Sequence, residues 1–470
     1  MNSTVKSTAR TLGMFSIVMI TVGSVDSIRN LPATALFGSS LIFFFIAAAI
    51  LFLIPCALVS AELSASWTED GGVYVWVKEA FGRQTGFLAI WFQWIENVIW
   101  YPTILSFVAA TIGYLIAPDV ASSQCFLISV ILAAFWLATI VNILGMRSSA
   151  FFASFCGIVG LIVPMILIIA MGAVWVFSGE PIHIHFTAHS MLPTHSADMW
   201  VALTGIMLSF CGMEIATVHV KDAKDPQRVF PQAIIISSLI IMVTLLLGSL
   251  AIASVLPHDS ISLVSGIMEA FSAFFSAYHM QWMLPIIAIM LVIGGMGGVS
   301  NWIIAPTRGL LIAGKDGNLP PHLQTQNNHR APTALLIYQA IIVSLLTLVF
   351  LTMPSVNGSY WLLSALASQL YMFMYILMFA AAIRLRYNHA DRARPFRVFG
   401  GNKTMWLVGL AGMLASVVTV IVGFIPPSTI NFGGTMRYEV MLIAGLVIMS
   451  APPFIMCRFR KSEWMTHPIA

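Results

Sequence analysis

Charge is scarce in this chain. Asp, Glu, Lys and Arg together make up 9% of its 470 residues, whereas a soluble globular domain carries about 25%. So few charges could not clothe a water-soluble protein of this length, and a soluble globular fold is excluded. In a bilayer the solvent is itself apolar and the shortage costs nothing. Cysteine is scarce too. Cys56, Cys125, Cys156, Cys211 and Cys457 stand singly in or beside apolar segments. None has metal-type or disulfide-type spacing, so free buried thiols are expected, with no metal and no other cofactor. The net charge of +4 is small, and no nucleic-acid partner is expected.

What the chain has in abundance is apolar residue, 59% of the total, with a mean hydropathy of +0.92. A helix needs about 20 such residues to cross a bilayer. Twelve segments qualify, at roughly 12–36, 40–66, 86–117, 123–144, 150–177, 198–219, 231–256, 282–305, 332–353, 360–385, 403–425 and 437–457. They are called spans 1 to 12. Span 1 follows a polar start with Lys6 and Arg10 and has no small-residue cleavage site, so it reads as an uncleaved span.

Twelve spans put both ends on one side, and the loops then alternate. All of the 22 Lys and Arg except Arg29 and Arg437 fall on the side of the N-terminus, among them Arg147, Lys221, Lys224 and Arg228. Basic residues concentrate in cytoplasmic loops, so both termini are expected in the cytoplasm. A wrong span count would scramble the alternation. The longest outer loop, about 178–197, holds His183, His185, His189 and His195. It is read as a flexible polar loop; metal ligation or pH sensing is the alternative, weakened because no Cys or carboxylate joins the cluster.

Ionisable groups at membrane depth cost about 2.5–3.5 kcal/mol on insertion scales. Most spans have none, so the exceptions carry information: Asp26 and Arg29 in span 1, Glu62 in span 2, Glu96 in span 3 and Glu214 in span 6. Span 1 runs apolar to Val22 and then reads Gly23-Ser24-Val25-Asp26-Ser27-Ile28-Arg29-Asn30-Leu31-Pro32. Gly, Ser and a residue before Pro all weaken a helix. A break there would free backbone groups, which are tolerated at depth only where they line a cavity or bind something. Span 6 offers a second break at Ser209-Phe210-Cys211-Gly212-Met213-Glu214. Breaks in the first and sixth helices are the pointer to an inverted-repeat transporter. Helix N-termini suit a carboxylate and helix C-termini an ammonium, so such a site fits a zwitterion.

Several stretches carry a family likeness. They are Phe-Leu-Ile-Pro-Cys-Ala-Leu-Val-Ser-Ala-Glu-Leu (52–63), Asp-Gly-Gly-Val-Tyr-Val-Trp-Val (70–77) with Phe81-Gly82, and Leu-Ser-Phe-Cys-Gly-Met-Glu (208–214). Ala216-Thr217-Val218-His219-Val220, Asp225-Pro226 and Asn301-Trp302-Ile303-Ile304-Ala305-Pro306-Thr307-Arg308-Gly309 follow in order. Over nearly its whole length the chain resembles the amino acid–polyamine–organocation superfamily, in its glutamate/γ-aminobutyrate antiporter-like branch. The resemblance implies a LeuT-like fold, alternating access and antiport. It places substrate between the breaks of helices 1 and 6, matches Gly212 and Glu214 to the helix 6 break, and matches Trp302 to a cavity aromatic of helix 8. Tyr371 and Tyr375 match a tyrosine pair on helix 10, and their i, i+4 spacing puts both on one face. Trp302 as an interface aromatic and the tyrosines as packing residues remain open alternatives. Glu62 is read as a structural buried carboxylate ahead of a proton carrier, and Glu96, among Trp91, Trp94 and Trp100, as a group that either faces the cavity or does not.

The chain departs from the resemblance in two places. Asp26 and Arg29, at i and i+3, either pair with each other or contact a substrate amine and carboxylate. This puts glutamate as substrate in doubt. Only about a dozen residues follow span 12, too few for the C-terminal plug that some members use as a pH gate.

The expectation is an all-α polytopic membrane protein of about 12 transmembrane helices, a LeuT-like 5+5 inverted repeat plus two extra helices. Residues 1–470 would form one permease domain, with spans 1–5 at about 12–177, spans 6–10 at about 198–387 and spans 11–12 at about 403–457. The expected activity is secondary transport of amino acids in the plasma (cell inner) membrane by antiport, with proton-coupled symport or uniport as the alternative. The candidate substrate-binding residues are Gly23, Ser24, Val25, Asp26, Glu96, Phe210, Cys211, Gly212, Glu214, Trp302, Tyr371 and Tyr375. Asp26, Arg29, Glu62 and Glu214 are the candidate proton or charge-pair sites. The expected partners are the lipid bilayer, an amino acid and an exchanged counter-substrate or proton, with a homodimer left open. A membrane enzyme is disfavoured by the want of a nucleophile motif or ligand cluster, and a channel by the want of a filter or charge ring.

Overall fold

An apolar segment in lipid has to satisfy its backbone hydrogen bonds within itself, and a helix does so. The computed structural model describes residues 13–145, 155–193, 197–216 and 226–465. Among these the chain is helices and their connections, with one isolated β-bridge between Asp316 and Met465. Ten helices are long and apolar enough to cross a membrane: Gly38–Ser66, Arg83–Ile116, Gln124–Ile143, Phe155–Phe177, Gln232–Val255, Gln281–Ser300, Thr333–Thr352, Val356–Asn388, Gly401–Val422 and Thr435–Arg458. They are spans 2–5 and 7–12, with ends moved by a few residues. Of the other two expected spans, span 1 is interrupted between Val25 and Leu31, and span 6, described as far as residue 216, is interrupted at Gly212. The chain is an all-α polytopic membrane protein of about 12 spans.

Lys6, Arg10, Arg147, His195, Lys221, Lys224, Asp225 and the stretch 217–220 lie outside the described residues, as do residue 12 of span 1 and residues 150–154 of span 5. Nothing is described of the Arg228 side chain.

Span 10 is the central helix: 78% of its apolar window is buried inside the protein, against 11% for span 12. Span 12 therefore turns most of its surface to lipid. Spans 5 and 8 approach backbone to backbone, since a Cβ added at Gly160 would lie 2.1 Å from the Gly294 Cα. Small residues permit this in a membrane, where helices associate by close packing. All five cysteines are free. Cys56, Cys156 and Cys211 are buried, but Cys125 is exposed and Cys457 half-buried. Span 4 buries Leu127, Ile131, Phe135 and Ala138, one helical face, and Cys125 lies off that face.

Candidate functional site

The interruptions fall where Gly, Ser and a pre-proline residue weaken the helix. In span 1 the first helix, Met14–Val25, ends as Asp26 and Ser27 turn extended, with φ/ψ of −69/134° and −150/114°. A 3-10 turn over Ile28–Asn30 and a short helix over Leu31–Ala35 follow. In span 6 the helix Ala202–Ser209 stops, and Met213–Ala216 begins after Gly212, whose φ is +105°. That conformation is one glycine adopts without strain. The two breaks meet: a Cβ at Gly212 would lie 3.2 Å from the Ser24 carbonyl oxygen and 3.4 Å from the Trp302 ring. The helix ends Val25 and Ser209 both bring carbonyl-rich, partially negative termini to this point.

A cavity of about 830 Å³ opens at the breaks, within the range of small-molecule sites. It follows span 1 from Phe15, near the N-terminal end, to Asn30 past the break, between span 3, span 5 and the glycine-rich face of span 8. Beyond the break a void of about 10 Å³ is bounded by Asn30, Tyr360 and Trp361 among others, scarcely room for one water. The cavity thus extends from the break along the first helix of span 1.

Of the expected site residues, Gly23, Ser24, Val25, Asp26, Arg29, Glu96, Cys211, Trp302 and Tyr371 line this cavity. Trp302 packs against Trp100 with ring centroids 5.9 Å apart, at the cavity rather than at the lipid interface. Phe210 is fully buried and packs edge-on against Phe45 of span 2 rather than lining the cavity. Gly212, Glu214 and Tyr375 stand just behind the wall. The Glu214 carboxylate accepts hydrogen bonds from Tyr371 (2.6 Å), from Gln93 Nε2 (2.9 Å) and from Tyr375. The Tyr375 hydroxyl in turn accepts from the Gly212 N–H at 2.9 Å. Span 10 thereby holds the span 6 break through two tyrosines stacked 5.0 Å apart.

The pairing of Asp26 with Arg29 is a correction. Among the described residues no ion pair joins them. The i, i+3 argument assumes a continuous helix, and the backbone leaves the helix between them. Asp26 Oδ2 accepts from Thr244 Oγ1 at 2.8 Å, while Oδ1 is buried without a partner. Arg29 Nη1 donates to Thr103 (3.1 Å) and Tyr360 (3.0 Å), and its guanidinium lies 5.1 Å from the Trp100 ring centroid. Its Nε is buried without a partner, as is Glu96 Oε2.

Glu62 lies away from the cavity. Arg386 donates to both its oxygens, Nε to Oε1 at 2.6 Å and Nη2 to Oε2 at 2.5 Å. Arg394 Nε is 3.3 Å from Oε1 and the Val398 N–H donates to Oε2 at 2.7 Å. This is a structural carboxylate that ties the end of span 2 to the end of span 10.

Sequence reasoning misses Gln93, Trp100, Thr103, Thr244 and Tyr360 as partners. Span 3 does carry a signal. Gln93, Glu96, Asn97, Trp100 and Thr103 recur at helical spacing in an otherwise apolar span, one polar stripe on one face. No such stripe marks Thr244 or Tyr360.

The chain matches the amino acid permease family over residues 12–447 and belongs to that family, within the amino acid–polyamine–organocation superfamily. It is a multi-pass membrane transporter. It is 43% identical to an uncharacterized transporter of Legionella pneumophila, across 96% of this chain and 97% of that protein. It is 27% identical to a glutamate/gamma-aminobutyrate antiporter of Lactococcus lactis, across 94% and 90%. A cadaverine/lysine antiporter of Escherichia coli is 24% identical across 75% and 78%.

Proposed function

We propose that the protein exchanges amino acids across the plasma membrane by alternating access, and that its substrate sits between the breaks of spans 1 and 6. One observation carries this: the two interrupted helices bring their free backbone ends to a single cavity. A transport site accessible from one side at a time needs that arrangement. The basic residues, gathered on the N-terminal side save Arg29 and Arg437, support cytoplasmic termini. Spans 1–5 and 6–10 are then the two repeats that rock against each other, with spans 11 and 12 outside them. Antiport is supported by the printed activities of the relatives in Lactococcus and Escherichia.

Proton-coupled symport is the second reading, favoured by Glu96, a buried carboxylate on the cavity wall. Liposomes preloaded with single amino acids separate the two. Uptake that requires preload is antiport; uptake driven by a pH gradient into empty vesicles is symport. No exchange of any amino acid in either format would overturn both.

Glu214 is the residue through which span 10 holds the span 6 break. Glu214→Gln keeps the shape but replaces a carboxylate acceptor with an amide for two tyrosine donors. Charge-assisted hydrogen bonds are about twice as strong as neutral ones, so transport is expected to fall at least about tenfold with the protein still monodisperse. Full transport by a folded Glu214→Gln protein would show that the cradle is dispensable.

A further inference from the structure

The proposed transport of amino acids leaves open which class of amino acid is carried, and three side chains bear on it. Asp26, Arg29 and Glu96 line the cavity, and each is at most 7% exposed. Each also keeps a buried polar atom without a partner: Oδ1 of Asp26, Nε of Arg29 and Oε2 of Glu96. What Asp26 and Arg29 do touch is neutral, namely the hydroxyls of Thr244, Thr103 and Tyr360 and the Trp100 ring. Unmatched charge at this depth is expensive, and it is retained where a ligand supplies the match.

The wall can be counted. Glu214 stands behind it with both oxygens held by Tyr371, Tyr375 and Gln93. Asn30 and Asn97 are neutral. That leaves one guanidinium and two carboxyl groups facing the cavity. The carbonyl ends of Met14–Val25 and Ala202–Ser209 add further negative potential at the same place.

Resting on the amino acid reading, we propose that the substrate is a dibasic amino acid of net charge +1. Its carboxylate meets Arg29, and its two ammonium-type groups meet Asp26 and Glu96. Trp100 and Trp302, packed together on the wall, flank the aliphatic stem. A neutral zwitterion leaves one of the two wall carboxyl groups unmatched. An acidic amino acid brings a second carboxylate to a wall that already holds two carboxyl groups. The charge pattern is thus a selectivity filter for the side chain, written in residues on spans 1 and 3.

The test uses the full chain in liposomes, with L-lysine, L-leucine, L-glutamate and 1,5-diaminopentane as probes. The last is L-lysine without its carboxylate. L-Lysine is expected to exchange at least about tenfold faster than L-leucine at equal concentration, with L-glutamate slower still. Glu96→Gln is expected to lower L-lysine exchange at least about tenfold and to bring it to or below the L-leucine rate. Should that variant fail to fold, Asp26→Asn removes the other wall carboxyl group and is expected to do the same. Arg29→Gln is expected to cost L-lysine at least about tenfold while leaving ligand-induced thermal stabilisation by 1,5-diaminopentane in place. That split is one which a merely structural role for Arg29 would not produce. Preferred exchange of L-leucine or L-glutamate overturns the dibasic assignment and leaves amino acid transport standing. The absence both of exchange of any amino acid and of its uptake under a pH gradient would overturn the transport reading, and this inference with it.

Discussion

Two clusters of buried charge sit at opposite extremes of pairing. At the ends of spans 2 and 10, Glu62 receives both prongs of Arg386, the Arg394 guanidinium and a backbone N–H. At the span 1 break, Asp26, Arg29 and Glu96 are equally buried yet keep unpartnered atoms. In the first cluster both oxygens of Glu62 are taken by the chain's own donors, so neither is left over for a ligand. The second is held in place by neutral groups and leaves its charges available. Burial alone therefore does not separate the two clusters; the presence or absence of a charged partner does. The contrast also separates two kinds of cost. The Glu62 cluster offsets its desolvation on folding, whereas in the proposed function the cavity cluster would be matched only when substrate arrives.

The largest effect tests the first half of that contrast. Arg386→Gln leaves Glu62 buried with its bidentate partner gone, and removing one member of a buried pair costs about 3–5 kcal/mol. Thermal unfolding in detergent should show a steep loss of stability, and Glu62→Gln made on top of Arg386→Gln should restore part of it. No destabilisation would mean that Arg394 alone suffices and that the cluster is not a closed unit. The corresponding change at the cavity, Arg29→Gln, removes two hydrogen bonds to neutral hydroxyls, each worth about 0.5–1.5 kcal/mol, and relieves an unmatched buried charge. Its stability should fall by less than that of Arg386→Gln. Equal losses would erase the distinction between the clusters. Gly212→Ala lies between the two kinds of site. It forces a side chain onto a φ of +105° and a Cβ against Ser24 and Trp302, a strain of about 1–3 kcal/mol. Transport should suffer more than folding, because the strain sits where the breaks touch.

Most of the fold is legible in the amino-acid sequence. Span length follows from bilayer thickness, and the alternation of basic loops checks the count. The breaks are legible as well, through Gly23, Ser24 and Gly212, since weak helix formers at depth leave a mark that packing does not hide. What the chain hides is pairing. Glu62 and Arg386 are far apart in sequence, and no local rule connects them. Asp26 and Arg29 are close in sequence, and the local rule misleads there because it presumes a helix that the same residues have just ended. The placing of Phe210 is hidden for a related reason: the direction of one side chain at a turn depends on dihedrals that composition does not fix. Glu214 stands out as a carboxylate at depth, but its three donors come from spans 3 and 10. Of these, only the tyrosines are brought near it, by their family likeness.

The smallest effect concerns a third cluster, intermediate in depth, and decides whether pairing or burial sets stability at the membrane edge. Asp316 Oδ2 lies 3.0 Å from Lys78 Nζ and 3.4 Å from Arg83 Nε, and it also accepts from the Tyr74 hydroxyl. Burial, reinforced by the carboxylate, holds that hydroxyl well above the usual phenol range, so Tyr74 remains a donor at every accessible pH. Arg83 is the outermost of the three, its side chain 33% exposed. Its removal leaves Lys78 and Tyr74 on the same oxygen. Arg83→Gln should therefore cost less than about 1 kcal/mol, the range of exposed ion pairs, and the cost should shrink further in about 0.5 M salt, where screening is strong. Unfolding curves of the variant and the parent chain at low and high salt measure it. A loss approaching that of Arg386→Gln, unmoved by salt, would place Asp316 with the closed interior pairs and show that a carboxylate already held by two other donors still depends on the third.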